Sequence, residues 1–190
     1  MSIATKRGDK GNTSLLSGER IKKSDPQVEA YGAVDELNSY LGLIRSKIKY
    51  SDFKKIIYQV QKDLFTVAAE LASLSKKPKE QIRESQLNYI EEKLDLYQAK
   101  FDFNGFTVPG ESEIGSLFDI SRTICRKVER RMIAAEGKDL LYSNTLKSYI
   151  NRLSDLLYIM ARVYDERNLI EQITERVLKV LAPKGDKNEN

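Results

Sequence analysis

Val28, Tyr31, Val34, Leu37, Leu41, Ile44 and Ile48 return at steps of three and four, the spacing that lines one face of an α-helix. Asp25 precedes the run as an N-cap, and Pro26 takes the first helical position, where its missing N–H costs no bond. Phe53, Ile57, Val60, Leu64, Val67, Leu71 and Leu74 repeat the period behind a Ser51 cap, with Pro78 beyond the end. Leu87, Ile90, Leu94 and Tyr97 mark a shorter helix behind Ser85. The stretch Phe103-Asn-Gly-Phe-Thr-Val-Pro-Gly110 is rich in breakers and reads as a loop. Ser112 then caps a helix through Ile114, Leu117, Ser121, Ile124, Val128 and Met132 that stops near Gly137. Asn144 caps the next, through Leu146, Ile150, Leu153, Leu157, Met160 and Tyr164. A last apolar set, Leu169, Ile173, Val177 and Val180, either extends that helix or forms a short sixth. No segment alternates strictly over a useful length, so the pattern predicts an all-α, up-and-down bundle of about five helices. Residues 1–182 make one domain, residues 1–24 form an N-terminal segment outside the helical scheme, and the tail 183–190 is expected to be disordered.

Composition narrows the chemistry. A chain of 190 residues with 41% hydrophobic content can bury one core. Its 32 basic and 28 acidic residues are mixed along the sequence for a net charge of +4, without a basic block, which argues against nucleic acid as a partner. The start, Met-Ser-Ile-Ala-Thr-Lys-Arg-Gly, lacks the apolar core of a signal peptide, and no apolar run is long enough to span a bilayer. Cys125 is the only cysteine, so no intrachain disulfide forms and a cytoplasmic location is expected. Without a single histidine, Ser-His-Asp and Cys-His machinery and histidine metal sites are excluded. Any reaction must use carboxylates, cations, hydroxyls, amides and what the substrates bring.

Several constellations could do so. The N-terminal segment holds Thr5, Lys6, Arg7, Gly8, Asp9, Lys10, Gly11, Thr13, Ser14, Gly18, Arg20, Lys22 and Lys23. It reads either as a floppy basic tail or as a phosphate-binding loop, in which glycines let backbone N–H groups approach an anion. It is not a Walker A loop, whose spacing is absent. Arg122, Arg126, Glu129 and Arg130 share one face of the fourth helix, either a grip for polyphosphate or a solvated face of Arg/Glu pairs. Asp35 and Asn38 flank the apolar stripe of the first helix, and Asn151 and Asp155 pair at i, i+4 on the fifth. Phe106 either anchors its loop or faces a ligand, and Cys125 reads as a small buried hydrophobe.

Three stretches together carry a resemblance. The first is Thr5-Lys-Arg-Gly-Asp-Lys-Gly-Asn-Thr-Ser-Leu-Leu-Ser-Gly-Glu-Arg20 with Asp25-Pro-Gln-Val-Glu-Ala-Tyr-Gly-Ala-Val-Asp-Glu-Leu-Asn-Ser39. The second is Phe106-Thr-Val-Pro-Gly110 with Ser121-Arg-Thr-Ile-Cys-Arg-Lys-Val-Glu-Arg130, and the third is Tyr149-Ile-Asn-Arg-Leu-Ser-Asp-Leu-Leu157. In this order the chain resembles the PduO-type ATP:cob(I)alamin adenosyltransferases. The resemblance implies that Thr5, Lys6, Arg7, Gly8, Thr13, Ser14 and Lys23 bind ATP, that Arg126, Lys127, Glu129 and Arg130 lie at the nucleotide, and that Asn151 completes its site. It implies that Asp35 and Arg122 pair across a subunit boundary and that Phe106 helps displace the lower axial base of the corrinoid. It further implies the substrates ATP and cob(I)alamin, Mg2+ with protein ligands unassigned, a homotrimer with active sites between subunits, a flavoprotein reductase and a downstream cobalamin-dependent enzyme. Glu111, Asp119, Lys127 and Val128 depart from the residues common in the family, and the first two flank the corrinoid side. Because Co(I) is itself the nucleophile in this chemistry, the missing histidine fits. The readings from other classes are a non-catalytic cobalamin and ATP delivery protein and a basic RNA-binding bundle.

Overall fold

The computed structural model describes residues 4, 6–74, 76, 78–101, 107–137, 140 and 142–182. Among these the order is β1 (Asn12–Ser14), β2 (Arg20–Lys22), α1 (Pro26–Lys47), α2 (Ser51–Leu71), α3 (Glu84–Gln98), α4 (Glu113–Ala135) and α5 (Asn144–Leu181). The helical bundle is as the periodicity predicts. The small antiparallel hairpin, with Thr13 opposite Ile21, is an addition: three-residue strands are too short to leave an alternation signal. Thr5, Phe106 and the tail 183–190 lie outside the described residues.

Helix starts show where local chemistry was legible. Asp25 caps α1, accepting from the Gln27 N–H at 2.9 Å, and Ser112 caps α4, accepting from the Gly115 N–H at 3.0 Å. The other starts differ from expectation. Ser51 is already helical, behind Tyr50, which makes no side-chain cap bond. Ser85 lies within the first turn of α3, whose entry is held by the Arg83 N–H donating to Gln86 Oε1 at 3.0 Å. Ser143, not Asn144, caps α5, because its hydroxyl sits in extended backbone and accepts from the Leu146 N–H at 3.1 Å. Leu74 falls beyond α2 and is exposed, while Phe118, rather than Leu117, fills the core from α4.

The core runs through all the helices: Leu37, Leu41 and Ile44 of α1 meet Phe53, Leu64 and Leu71 of α2, Ile90 of α3, Phe118 and Met132 of α4, and Tyr149 of α5. Cys125 is fully buried, its thiol donates to the Ile150 carbonyl at 3.3 Å, and burial pushes its pKa up; it is inert packing, as expected. Several buried polar groups tie elements together. Gln27 Nε2 donates to the carbonyls of Leu71 at 2.6 Å and Ser73 at 3.1 Å, which fixes the start of α1 against the end of α2. The hairpin joins the same corner, with the Leu16 N–H donating to Ala72 O at 2.9 Å. Asp63 accepts from Gln59 at 2.9 Å, Gln86 at 2.8 Å and the Tyr149 hydroxyl at 3.1 Å. Removing that carboxylate orphans buried donors, so Asp63→Ala is expected to destabilise the fold by about 3 kcal/mol, read by urea unfolding.

α5 continues unbroken through the last apolar set, so no sixth helix forms: Asp165-Glu166-Arg167-Asn168 contains no breaker. The extension is held by Arg167, which pairs with Asp52 at 3.0 Å and lies over the Phe53 ring at 5.0 Å, and by the Tyr50 hydroxyl donating to Glu171 at 2.9 Å. No helix among the described residues is long and apolar enough to cross a membrane.

Candidate active site

The N-terminal segment forms a built cleft. A cavity of about 420 Å³ is lined by Arg7, Gly8, Asn12, Thr13, Ser14, Arg20 and Lys23. The hairpin sets its floor, and tight turns close it: the Gly11 N–H donates to Gly8 O at 3.2 Å and the Lys23 N–H to Gly11 O at 2.8 Å. Gly8 permits the cationic wall, since a Cβ there would stand 3.1 Å from Lys23 Nζ. Arg20 donates to the Arg7 carbonyl at 3.1 Å, aligning a second guanidinium with the first. Lys6 adopts the left-handed conformation with φ of 56°, unusual for a residue with a side chain and frequent at binding loops. Cations and hydroxyls around one cavity are the chemistry of a phosphate site. Arg7, Gly8, Thr13, Ser14 and Lys23 line this one cavity, whereas Lys6 and Lys10 do not. Arg20 and Asn12 also line the cavity; the hairpin register that places Ser14 opposite Arg20 and Asn12 opposite Lys22 brings them there, and strands this short left no signal of it in the sequence.

A second polar surface lies on α4 and α5. Glu129 accepts from Asn151 Nδ2 at 3.1 Å, and Asn151 Oδ1 accepts from Arg152 at 2.9 Å. Asp155 lies close by: burial raises its pKa, partly offset by Arg152 and Arg126 and reinforced by Glu129. The cations of this helix divide in two. Lys127 pairs with Glu36 and Arg131 with Glu29, both carboxylates coming from α1. Arg126 and Arg130 are exposed, and no described ion pair engages either. Two uncommitted guanidiniums one turn apart can grip a polyanion. None of Arg126, Lys127, Glu129, Arg130 or Asn151 lines the N-terminal cleft.

Asp35 and Arg122 sit apart within the chain. Asp35 lines a cleft of about 430 Å³ between α1 and α2, with Asn38, Gln61, Tyr58 and Phe65 among its walls. Arg122 has its Nε 3.7 Å from Asp119 and its guanidinium over the Tyr158 ring at 5.9 Å. Among the described residues no group of three or more His, Cys, Asp or Glu side chains could hold a metal ion.

Comparison with known proteins identifies the setting. The family model for cobalamin adenosyltransferase matches residues 3–164. The corrinoid adenosyltransferase PduO of Salmonella typhimurium is 35% identical over 98% of this chain, and that of Citrobacter freundii 35% identical over 95%. This chain spans only 58% and 56% of their lengths. The Bacillus subtilis corrinoid adenosyltransferase is 34% identical over 91% of both chains. A phenylalanine-to-alanine variant of the PduO-type ATP:corrinoid adenosyltransferase from Lactobacillus reuteri, complexed with cobalamin and ATP, has a similar fold. It superposes with a TM-score of 0.80 at 31% identity, over 87% of this chain and 96% of that one. With the family model matched from the phosphate-type cleft to the end of the bundled part of α5, this chain belongs to the cobalamin adenosyltransferase family.

Proposed function

We propose that this chain transfers the 5′-deoxyadenosyl group of ATP to the cobalt of a reduced corrinoid. The observation that carries the reading is the cationic cleft of residues 7–23, built by the same sequence that bears the family signature. The Co(I) electron pair attacks C5′ of the ribose, the Co–C bond forms, the C5′–O bond breaks, and triphosphate leaves with that bond's electrons. No protein nucleophile or base is required, so the protein's share is orientation and charge. Arg7, Lys23, Thr13 and Ser14 hold the phosphates, with Thr5 and Lys6 beside them in sequence. Arg126 and Arg130 offset charge that grows on the leaving group, and Asn151, oriented by Glu129, completes the nucleotide site. Mg2+ carried on the triphosphate would neutralise part of its charge.

We place the active site between subunits of a homotrimer. The cleft and the α4–α5 surface are separate within one chain, and an interface brings such halves together. Asp35, exposed in the α1–α2 cleft, then meets Arg122 of the partner subunit. Asp35→Asn is expected to raise the corrinoid KM roughly tenfold, the scale of losing one close interfacial charge pair; unchanged kinetics with an unchanged sedimentation profile would remove the pair from the mechanism. The flavoprotein reductase that supplies Co(I) and the cobalamin-dependent enzyme that takes the product complete the setting, in a cytoplasm whose reducing conditions suit the lone buried thiol. The test is anaerobic absorbance of cob(I)alamin with ATP and catalytic amounts of protein. Repeated turnover is expected. Stoichiometric binding without conversion would instead identify a delivery protein, and salt-sensitive RNA retention without conversion an RNA-binding bundle.

A further inference from the structure

Near the start of α4, apart from the cleft, lies a buried ionic group. Asp119, Arg162 and Asp165 are 5%, 3% and 8% exposed. Arg162 pairs with Asp119 and lies 3.5 Å from Asp165 Oδ2. Asp119 also faces Arg122, at 3.7 Å. Asp165 Oδ1 accepts from the Ser112 hydroxyl at 2.5 Å, and that same hydroxyl oxygen caps α4 by accepting from the Gly115 N–H. The approach is possible only over a glycine: a Cβ on Gly115 would stand 2.1 Å from Asp165 Oδ1 and 2.6 Å from Oδ2. Tyr158 links the same group outward, its ring beside the guanidiniums of Arg122 and Arg162 at 5.9 and 5.6 Å and its hydroxyl 3.4 Å from Thr107 Oγ1.

Buried ion pairs are poor stabilisers, because desolvation offsets most of their attraction. What they can do is fix geometry, and this one joins Asp119, expected to flank the corrinoid side, to Arg122, expected at the subunit boundary, and through Ser112 to the start of α4, which follows Phe106 in sequence. We infer that Asp165 is a positioning residue of adenosyl transfer, holding the α4 cap and the Arg162–Asp119–Arg122 chain in the arrangement the corrinoid requires. The inference rests on the adenosyltransferase reading. Asp165 falls one residue beyond the stretch that the family model matches.

Its test separates corrinoid from ATP parameters in the intact protein. Asp165→Asn keeps the shape and removes the charge, Ser112→Ala removes the hydroxyl, and Ser112→Thr restores it. In Asp165→Asn and Ser112→Ala the corrinoid kcat/KM is expected to fall roughly tenfold or more, as a small misplacement of reacting groups does, with the ATP KM within about twofold of wild type. The spectrum of four-coordinate cob(II)alamin on the ATP-loaded protein should weaken in parallel, and Ser112→Thr should recover both. Equal losses on the ATP and corrinoid sides, no loss at all, or a Ser112→Thr variant as impaired as Ser112→Ala would overturn the assignment. If Asp165→Asn does not fold, the two Ser112 variants decide the question alone. Absence of turnover in wild type would refute the adenosyltransferase reading itself and take this inference with it.

Discussion

Arg126→Ala is expected to lower kcat roughly a hundredfold, the usual cost of removing one preorganised donor from developing charge. The side chain is exposed on α4 and engaged in no described ion pair, while its neighbours Lys127 and Arg131 are tied to Glu36 and Glu29. Removing it leaves no buried partner unsatisfied, so thermal unfolding should not change. A group that meets charge growing on the leaving triphosphate acts mainly in the transition state, so the loss should appear in kcat and in kcat/KM alike rather than in KM. Arg126→Lys keeps the charge without the planar fork and should fall between wild type and alanine. A wild-type kcat in Arg126→Ala would take the residue out of the mechanism.

Phe106→Ala should separate two steps that most site variants blur. If its ring occupies the place that the lower axial base vacates, conversion beginning from cob(II)alamin and a reductant should fall roughly a hundredfold or more, since without the ring a fifth ligand can return to Co(II) and keep it hard to reduce. When cob(I)alamin is supplied already reduced, the lower base is off and the loss should be much smaller. The ATP KM should stay near wild type, because the proposed nucleotide site is the residue 7–23 cleft and α4. Equal losses from both starting states would make Phe106 an anchor of its loop instead.

The helices were legible because period and breakers act locally: Leu37, Leu41 and Ile44 need only the spacing of one helix to be identified as core. Caps were legible where the expected residue also takes extended backbone, as at Asp25 and Ser112. They were misread where the expected residue is already helical, as at Ser51, Ser85 and Asn144, since backbone conformation decides which residue caps. At the site, Gly8, Thr13, Ser14 and Lys23 could be named from composition and resemblance. Arg20 could not, because its place depends on the turn of the hairpin and on the Arg7 carbonyl it binds. The Asp119–Arg162–Asp165 group was hidden for a related reason. Asp119 stood out only as a departure from the family, Arg162 and Asp165 look like ordinary surface charges, and only the packing of α4 on α5 over Gly115 buries the three together.

Direct transfer from C5′ of ATP, with triphosphate as the leaving group, is tested by product stoichiometry. With cob(I)alamin in excess, catalytic protein and limiting ATP under anaerobic conditions, adenosylcobalamin is measured by its absorbance and the inorganic products by ion chromatography. One inorganic triphosphate for each adenosylcobalamin, over many turnovers, is the expected result. Adenosylcobalamin that fails to exceed the protein present, or ATP consumed with release of orthophosphate and no Co–C bond, would contradict the account.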